Sequence, residues 1–197
     1  MAEEKEYSKL FDNSGGFEKL LGYQIAELLY DFTVRFTERY IREGSRTRDQ
    51  MEQAARSGSQ NIAEGSVFSA TSKKLEMNLT NVSRASLTEL QKDYAAFLRQ
   101  RKLTIWTSSD PIRQELVDRR FTAVDEVARW ARGVNQLHPE RSIPEIAGNI
   151  GYIYSNVALA MVKRQLHSQA KAFEKDGGFS ERLYKFRTEA KGMEKRK

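Results

Sequence analysis

Residues 50–66, QMEQAARSGSQNIAEGS, carry the pattern that decides the fold. Six of them recur at intervals of three or four and therefore share one face of a helix: Met51, Ala54, Ala55, Gly58, Ile62 and Gly65. Four of these six are alanine or glycine, so the face that should be buried has little bulk. A face of this kind either lies on the surface or lets a second helix come unusually close. The rest of the chain favours close packing, because bulky apolar helices flank this one.

Apolar residues at helical spacing predict four long helices in all. Gly44 stands where the first of them should stop, and Ser142, Pro144 and Glu145 form a start signal for the last. The predicted bounds are about 17–43, 46–65, 72–102 and 143–175. In the third helix the predicted buried stripe is Leu75, Leu79, Val82, Ser86, Leu90, Tyr94, Phe97 and Leu98.

A shorter connecting helix is predicted over about residues 110–135, because Asp110 is suited to cap a helix that begins at Pro111. No segment shows the alternation of a β-strand. The predicted fold class is all-α: an antiparallel up-and-down four-helix bundle with an extra connecting helix and a short C-terminal helical suffix. The bundle domain covers residues 1–176, and a basic suffix covers residues 177–197.

The composition predicts a cytoplasmic protein. The 197 residues include no cysteine, so disulfides, thiolate nucleophiles and thiolate zinc sites are excluded. A mean hydropathy of −0.68, a charged N-terminal segment and no long apolar run argue against membrane insertion and export. Residues 181–197 carry seven basic and three acidic residues and hold +4 of the net charge of +6. Such a tail either contacts nucleic acid or an acidic partner, or simply keeps the chain soluble.

The sequence offers no enzymatic site, and we predict neither cofactor nor metal. The two histidines, His138 and His167, lack a second ligand at helical spacing, and phosphate-binding and dinucleotide-binding glycine motifs are absent. GNIG, residues 148–151, matches the G-x-x-G of KH modules but falls within a helical pattern. Asn61 and Glu64 are the most tempting polar pair. We interpret them as structural groups that tie the second helix to the turn expected after Gly65.

Two segments carry a resemblance to a known family. RTRDQMEQAARSGSQNIAEGS, residues 46–66, and KKLEMNLTNVSRASLTELQKDY, residues 73–94, resemble the four-helix-bundle proteins encoded within intervening sequences of bacterial 23S ribosomal RNA genes. The ending FEKDGGFSERLYKFR, residues 173–187, looks like the suffix of one subfamily. The matching positions are Arg48, Met51, Ala54, Ala55, Ser57, Asn61, Ile62, Ala63, Glu64, Gly65, Ser86 and Glu89. Gly58 departs from the family pattern, where an apolar residue is common, and the long insert between Trp106 and Arg141 exceeds the minimal four-helix form.

The resemblance implies a homo-oligomer, with a pentameric ring as the expected assembly. Related accessory variability determinants of diversity-generating retroelements bind nucleic acid and act with a reverse transcriptase. A non-enzymatic accessory protein that binds RNA or RNA–DNA hybrids without sequence preference is therefore the first hypothesis, and a purely structural or protein-interaction oligomer is the alternative. The candidate nucleic-acid contacts are Arg46, Arg48, Arg56, Lys73, Lys74, Arg84, Arg99, Arg101, Lys102, Arg182, Lys185 and Arg187.

Overall fold

The computed structural model describes residues 16–178 and, beyond them, residues 181, 183, 184 and 188. Over residues 16–178 the chain is all-α, with six α-helices, a short 3₁₀ turn at Phe17–Lys19 and no β-strand. The helices are α1 (Leu21–Tyr40), α2 (Arg46–Phe68), α3 (Lys73–Gln100), α4 (Pro111–Arg119), α5 (Val124–Leu137) and α6 (Ile143–Asp176). Among the described helices, none combines the length and apolar content that crossing a membrane requires.

Two predicted helix starts are confirmed by their capping hydrogen bonds. The Asp110 carboxylate accepts from the backbone N–H of Ile112 at 2.9 Å, and the Ser142 hydroxyl accepts from the backbone N–H of Glu145 at 3.3 Å. A side-chain oxygen in this position satisfies a donor that the first turn of a helix leaves unpaired. Local chemistry is therefore enough to fix where α4 and α6 begin.

Four predicted helix bounds are wrong. α1 begins at Leu21 rather than near residue 17, because Leu20 is extended and Phe17–Lys19 form a separate 3₁₀ turn. α1 ends at Tyr40 rather than near residue 43, because Ile41 is already extended. The connecting region forms two helices instead of one, and Arg120 ends the first of them in a left-handed conformation at φ 47°. α2 continues through Gly65 to Phe68, because Gly65 packs closely on α3, where a Cβ would lie 3.2 Å from the Glu76 carbonyl oxygen.

The small face of α2 packs closely against α3, as predicted. A Cβ on Gly58 would lie 2.7 Å from a methyl carbon of Leu87, and the Ser83 hydroxyl donates to the Gly58 carbonyl at 2.6 Å. Ala54 and Ala55 are buried on the same face. Along this contact, residue 58 meets residue 87 and residue 65 meets residue 76.

Glycines also let α6 approach α3. A Cβ on Gly148 would lie 2.7 Å from a methyl carbon of Leu98, and one on Gly151 would lie 2.2 Å from the Tyr94 ring. GNIG is therefore helical, as predicted, and its two glycines serve helix packing. The Tyr94 ring is fully buried, and its hydroxyl lies 2.9 Å from the Thr33 hydroxyl of α1. These contacts join α1, α3 and α6 around one aromatic side chain.

The predicted stripe of α3 is wrong in its N-terminal half. Leu75 and Val82 are exposed, with 36% and 47% of their surface accessible, whereas the polar residues Glu76, Thr80 and Ser83 are buried. The physical reason is a set of polar partners on neighbouring helices. Gln169 of α6 donates to the Glu76 carboxylate at 3.1 Å and to the Thr80 hydroxyl at 3.0 Å, and Ser83 bonds to α2. Buried polar groups are tolerated when they are paired in this way.

The connecting segment between α3 and α6 docks on α6 through Trp106, and Trp130 joins its two helices, α4 and α5. The backbone N–H of Trp106 donates to the buried Asn149 side chain of α6 at 2.8 Å, and its indole N–H donates to Glu145 at 3.3 Å. The Trp130 indole of α5 donates to Glu115 of α4 at 3.0 Å. Both tryptophans therefore lie in or beside the insert rather than among the four long helices.

Candidate nucleic-acid interface

Three of the predicted contact residues lie together at the C-terminal end of α3. Arg99, Arg101 and Lys102 are all exposed. Lys102 adopts a left-handed conformation at φ 56°, and the backbone N–H of Leu103 donates to the Leu98 carbonyl at 2.9 Å. This bond satisfies a carbonyl that the last helical turn would otherwise leave free. The helix end is consequently fixed, and three cations project from it.

Arg101 connects this end of α3 with the end of α1. Its guanidinium lies 3.9 Å from the centroid of the Phe97 ring and donates to the Tyr40 carbonyl oxygen at 3.3 Å. Cation–π contact of this kind orients an arginine without neutralising its charge. The α1–α2 connection is thereby brought beside Arg99 and Lys102.

The same end of the molecule collects further exposed cations. The end of α1, the α1–α2 connection and the start of α2 contribute Arg39, Arg42 and Arg46, and the exposed acidic residues of the same stretch are Glu38, Glu43 and Asp49. Together with Arg99, Arg101 and Lys102, this gives six exposed cations against three carboxylates, a group that we call the basic end. The N-terminus of α2 also lies here, and the helix dipole adds partial positive charge at this end.

Two predicted contact residues are engaged in ion pairs within the chain. Arg48 lies 2.9 Å from the Glu52 carboxylate, which also accepts from the Thr37 hydroxyl of α1 at 2.5 Å. Lys73 lies 2.9 Å from Glu76. Both cations are about three-quarters buried at the side chain, so their pairs are partly shielded from water. Their geometry favours a structural role that the sequence pattern did not predict.

The remaining predicted contacts are spread over the molecule. Arg56, Lys74 and Arg84 are exposed, and Arg84 lines a groove between α3 and α6. Arg182, Lys185 and Arg187 lie outside the described residues. The predicted set therefore separates into a clustered basic end, two ion-paired cations and several dispersed ones.

The polar residues of the family-like motif link α2 to α3. The Asn61 amide donates to the Ser57 carbonyl at 2.7 Å and to the Ser57 hydroxyl at 2.9 Å, and Ser86 donates to that hydroxyl at 3.0 Å. Glu64 and Glu89 are exposed. The hypothesis that Asn61 and Glu64 tie the helix to a turn after Gly65 is wrong, because α2 has no end there.

A set of exposed apolar side chains, which we call the apolar patch, lies at the end of α2 and in the N-terminal half of α3. It comprises Val67, Phe68, Leu75 and Val82, of which Val67 is 53% and Val82 is 47% accessible. Leu75 and Val82 are two turns apart on α3, so they lie on the same side of that helix. A grouped set of exposed apolar side chains is typical of a surface that contacts another macromolecule.

The two histidines lie on different elements of the fold. His167 is exposed on α6, as predicted, and His138 follows α5 in a turn with its Nδ1 3.3 Å from Glu140. In the part of the chain that the structure describes, no group of three or more His, Asp or Glu side chains is arranged to hold a metal ion.

Comparison of the chain with protein-family models, with curated proteins and with solved structures gives no match. The family resemblance accordingly stays a prediction that depends on the motif residues alone.

Proposed function

We propose that this protein is a non-enzymatic, homo-oligomeric four-helix-bundle protein that binds nucleic acid through its basic surfaces. The observation that carries the proposal is the basic end, where the ends of α1 and α3 and the start of α2 bring six exposed cations against three carboxylates. Phosphate backbones are bound through such clusters, and binding releases the counterions that surround the nucleic acid.

The helix contacts support an antiparallel up-and-down bundle of α1, α2, α3 and α6. These four helices contact one another in a closed cycle, in which α1 packs on α2, α2 on α3, α3 on α6 and α6 on α1. Residue numbers rise along α6 as they fall along α3, since residue 151 meets residue 94 and residue 169 meets residue 80. A bundle of this type places helix ends, and their charges, at its two poles.

The apolar patch of Val67, Phe68, Leu75 and Val82 supports self-association. Burying such side chains against a second copy removes apolar surface from water. The family resemblance implies a pentamer, and five copies at +6 each would carry about +30. Repeated copies of the basic end would then bind one nucleic acid with higher avidity than a single chain.

The expected ligand is structured RNA or an RNA–DNA hybrid, bound without sequence preference, and the expected protein partner is a reverse transcriptase. Arginine and lysine contacts to phosphates position a protein on nucleic acid but do not distinguish bases. The apolar patch also favours the second candidate function, an interaction oligomer without nucleic-acid binding, because an apolar surface can also bind a different protein.

Fluorescence anisotropy with a labelled duplex RNA at 50 and 200 mM salt tests nucleic-acid binding. We expect the protein to bind at the lower salt, and we expect the triple variant Arg99→Glu, Arg101→Glu and Lys102→Glu to bind at least tenfold more weakly. Circular dichroism checks that this variant is folded. The control reverses three exposed cations that do not belong to the basic end, Arg129→Glu, Arg132→Glu and Lys171→Glu, and it should lose less affinity. If the protein does not bind at 50 mM salt, the interaction oligomer is the remaining candidate.

Sedimentation velocity at micromolar concentration tests self-association. The parent should sediment as an oligomer, and Leu75→Glu with Val82→Glu should shift it toward the monomer, because each change places a charge in the apolar patch. Lys74→Glu, on an exposed neighbouring position of α3, serves as the control for a charge change outside the patch. A parent that sediments as a single monomeric species would contradict the oligomer.

A further inference from the structure

A basic groove lies between α3 and α6. It has a volume of about 740 Å³, and its lining includes Arg84, Lys92 and Lys163 with one carboxylate, Glu89. Arg84 and Lys92 project from α3 and Lys163 projects from α6, so the groove exists only when these two helices are packed together. It is separate from the basic end, which lies at the C-terminal end of α3.

The three cations of the groove are available to a ligand. All three are exposed, and among the described residues none pairs with a carboxylate, in contrast to Arg48 and Lys73. Cations whose charge is not already neutralised can exchange water and counterions for phosphate oxygens. The groove therefore presents three positive charges against one negative charge.

The spacing of these charges selects an extended ligand. Arg84 and Lys92 are eight residues apart along α3, which corresponds to about 12 Å. Gln91 donates to Asn156 across the groove at 2.5 Å, and because α3 and α6 run in opposite directions, Lys163 lies opposite the Arg84 end. A polymer with regularly repeated phosphates can contact cations from backbone positions that are about 12 Å apart along the helix axis, and it can occupy the length of the groove.

The lining also indicates which polymer fits. Among the described residues that line the groove none is aromatic, so it offers no platform on which the bases of a single strand could stack. Its apolar part consists of Ala85, Leu159 and Ala160, which is too small to anchor a large peptide side chain. A sugar–phosphate backbone needs neither feature, because it is held by charge and by polar groups such as Gln91 and Asn156.

We propose that the α3–α6 groove binds the sugar–phosphate backbone of double-stranded RNA or of an RNA–DNA hybrid, with Arg84, Lys92 and Lys163 on phosphates of one strand. This proposal rests on the proposed function, and it adds the groove to the basic end as a second surface that contacts nucleic acid. Glu89 opposes binding, since its carboxylate faces the same groove as the phosphates.

Anisotropy titrations with a 20-base-pair duplex RNA at several salt concentrations test the groove. Arg84→Gln with Lys92→Gln and Lys163→Gln removes three positive charges from it, and Arg129→Gln with Arg132→Gln and Lys171→Gln removes three elsewhere as the matched control. We expect the groove variant to bind at least tenfold more weakly. The slope of log affinity against log salt should become shallower by up to about 3, near 0.9 for each lost phosphate contact. The control should stay within about threefold of the parent.

Two further variants test the charge argument. Glu89→Gln should tighten duplex binding several-fold, because it removes the one negative charge in the lining. The charge-conserving variant Arg84→Lys with Lys92→Arg and Lys163→Arg should bind within about threefold of the parent. Thermal melts verify that every variant is folded.

The outcomes separate this proposal from the proposed function. If the parent binds duplex RNA and the groove variant binds like its control, the groove is excluded while binding at the basic end stands. If the parent does not bind duplex RNA at low salt, both proposals fall. If single-stranded RNA or polyglutamate binds as tightly as the duplex and depends on the same three cations, the assignment to a duplex backbone is wrong.

Discussion

Substitution of Gly151 by alanine should destabilise the fold by overpacking. A Cβ at this position would lie 2.2 Å from two carbons of the Tyr94 ring, whereas carbon atoms in ordinary contact are about 3.5–4.0 Å apart. The ring has no free direction in which to move. It is fully buried, its hydroxyl contacts Thr33 at 2.9 Å, and the Phe36 ring centroid lies 4.9 Å from its own.

The size of the loss follows from two opposing effects. Overpacking a core costs about 1–3 kcal/mol or more, and an overlap of more than 1 Å with a fixed ring belongs at the upper end of that range. Alanine gains about 1 kcal/mol over glycine in a helix interior. A net loss of about 1–3 kcal/mol remains, which corresponds to a fall in Tm of roughly 2–12 °C for a domain of this size.

Thermal unfolding followed by circular dichroism measures this loss, and Gly133→Ala is the matched control. Gly133 lies in the interior of α5, and a Cβ there would meet no atom within 4 Å. The control should therefore raise Tm by a few degrees through helix propensity alone. A Tm for Gly151→Ala at or above that of the parent would refute the packing argument. In a Tyr94→Leu background Gly151→Ala should lower Tm by less, since the ring that the alanine Cβ would overlap is absent.

Two further predictions concern α2 and α3. Gly58→Leu and Ala54→Leu should each lower stability by about 1–3 kcal/mol, because both side chains face the close α2–α3 contact, and melts equal to the parent would favour a looser contact. Partial burial and then the Glu89 carboxylate raise the pKa of Asp93, so its ionisation costs stability as the pH rises above the usual aspartate range. Asp93→Asn should therefore raise Tm at pH 7. This rise in Tm should disappear below about pH 3.9, where the aspartate is protonated in the unfolded chain as well. A rise in Tm that is the same at low pH would show that the charge of Asp93 is not the cause.

The sequence predicts the four long helices well because helical periodicity is a local property. The close α2–α3 contact could also be predicted, since Ala54, Ala55 and Gly58 leave no bulk on the face that must be buried. The helix bounds were less predictable. A glycine at the end of an apolar helical pattern usually marks the end of the helix, but Gly65 lies inside α2. Its lack of a side chain lets α2 come close to the backbone of α3.

The side of α3 that faces the core could not be predicted from its own sequence. Leu75 and Val82 form an apolar stripe next to the polar stripe of Glu76 and Thr80, and an apolar stripe is normally the buried one. The polar stripe is buried because Gln169, about ninety residues later, supplies hydrogen bonds to it. The periodicity of one helix does not show which residue of a distant helix will pack against it.

The candidate interface was predictable in its composition but only partly in its arrangement. The three neighbouring cations of the basic end stand together in the sequence and were found directly. The groove was not found, because Lys163 is separated from Arg84 by 79 residues and meets it only through the packing of α6 on α3. The sequence predicts Arg48 as a nucleic-acid contact because it shows the charge of this residue. It does not show the ion pair with Glu52, which forms one helical turn away and whose carboxylate also accepts a hydrogen bond from Thr37 of α1.

The placement of Trp106 and Trp130 makes tryptophan fluorescence a signal of the connecting segment that is separate from the circular dichroism signal of the four long helices. These are the only tryptophans among the 197 residues, and both lie in the connecting segment. The Trp106 indole donates to Glu145 of α6, and the Trp130 indole donates to Glu115 of α4. Fluorescence excited at 295 nm therefore follows the docking of α4 and α5, while far-ultraviolet circular dichroism is dominated by the four long helices. If the insert detaches before the long helices melt, the fluorescence transition will precede the dichroism transition, and the difference between them measures how strongly the insert is held.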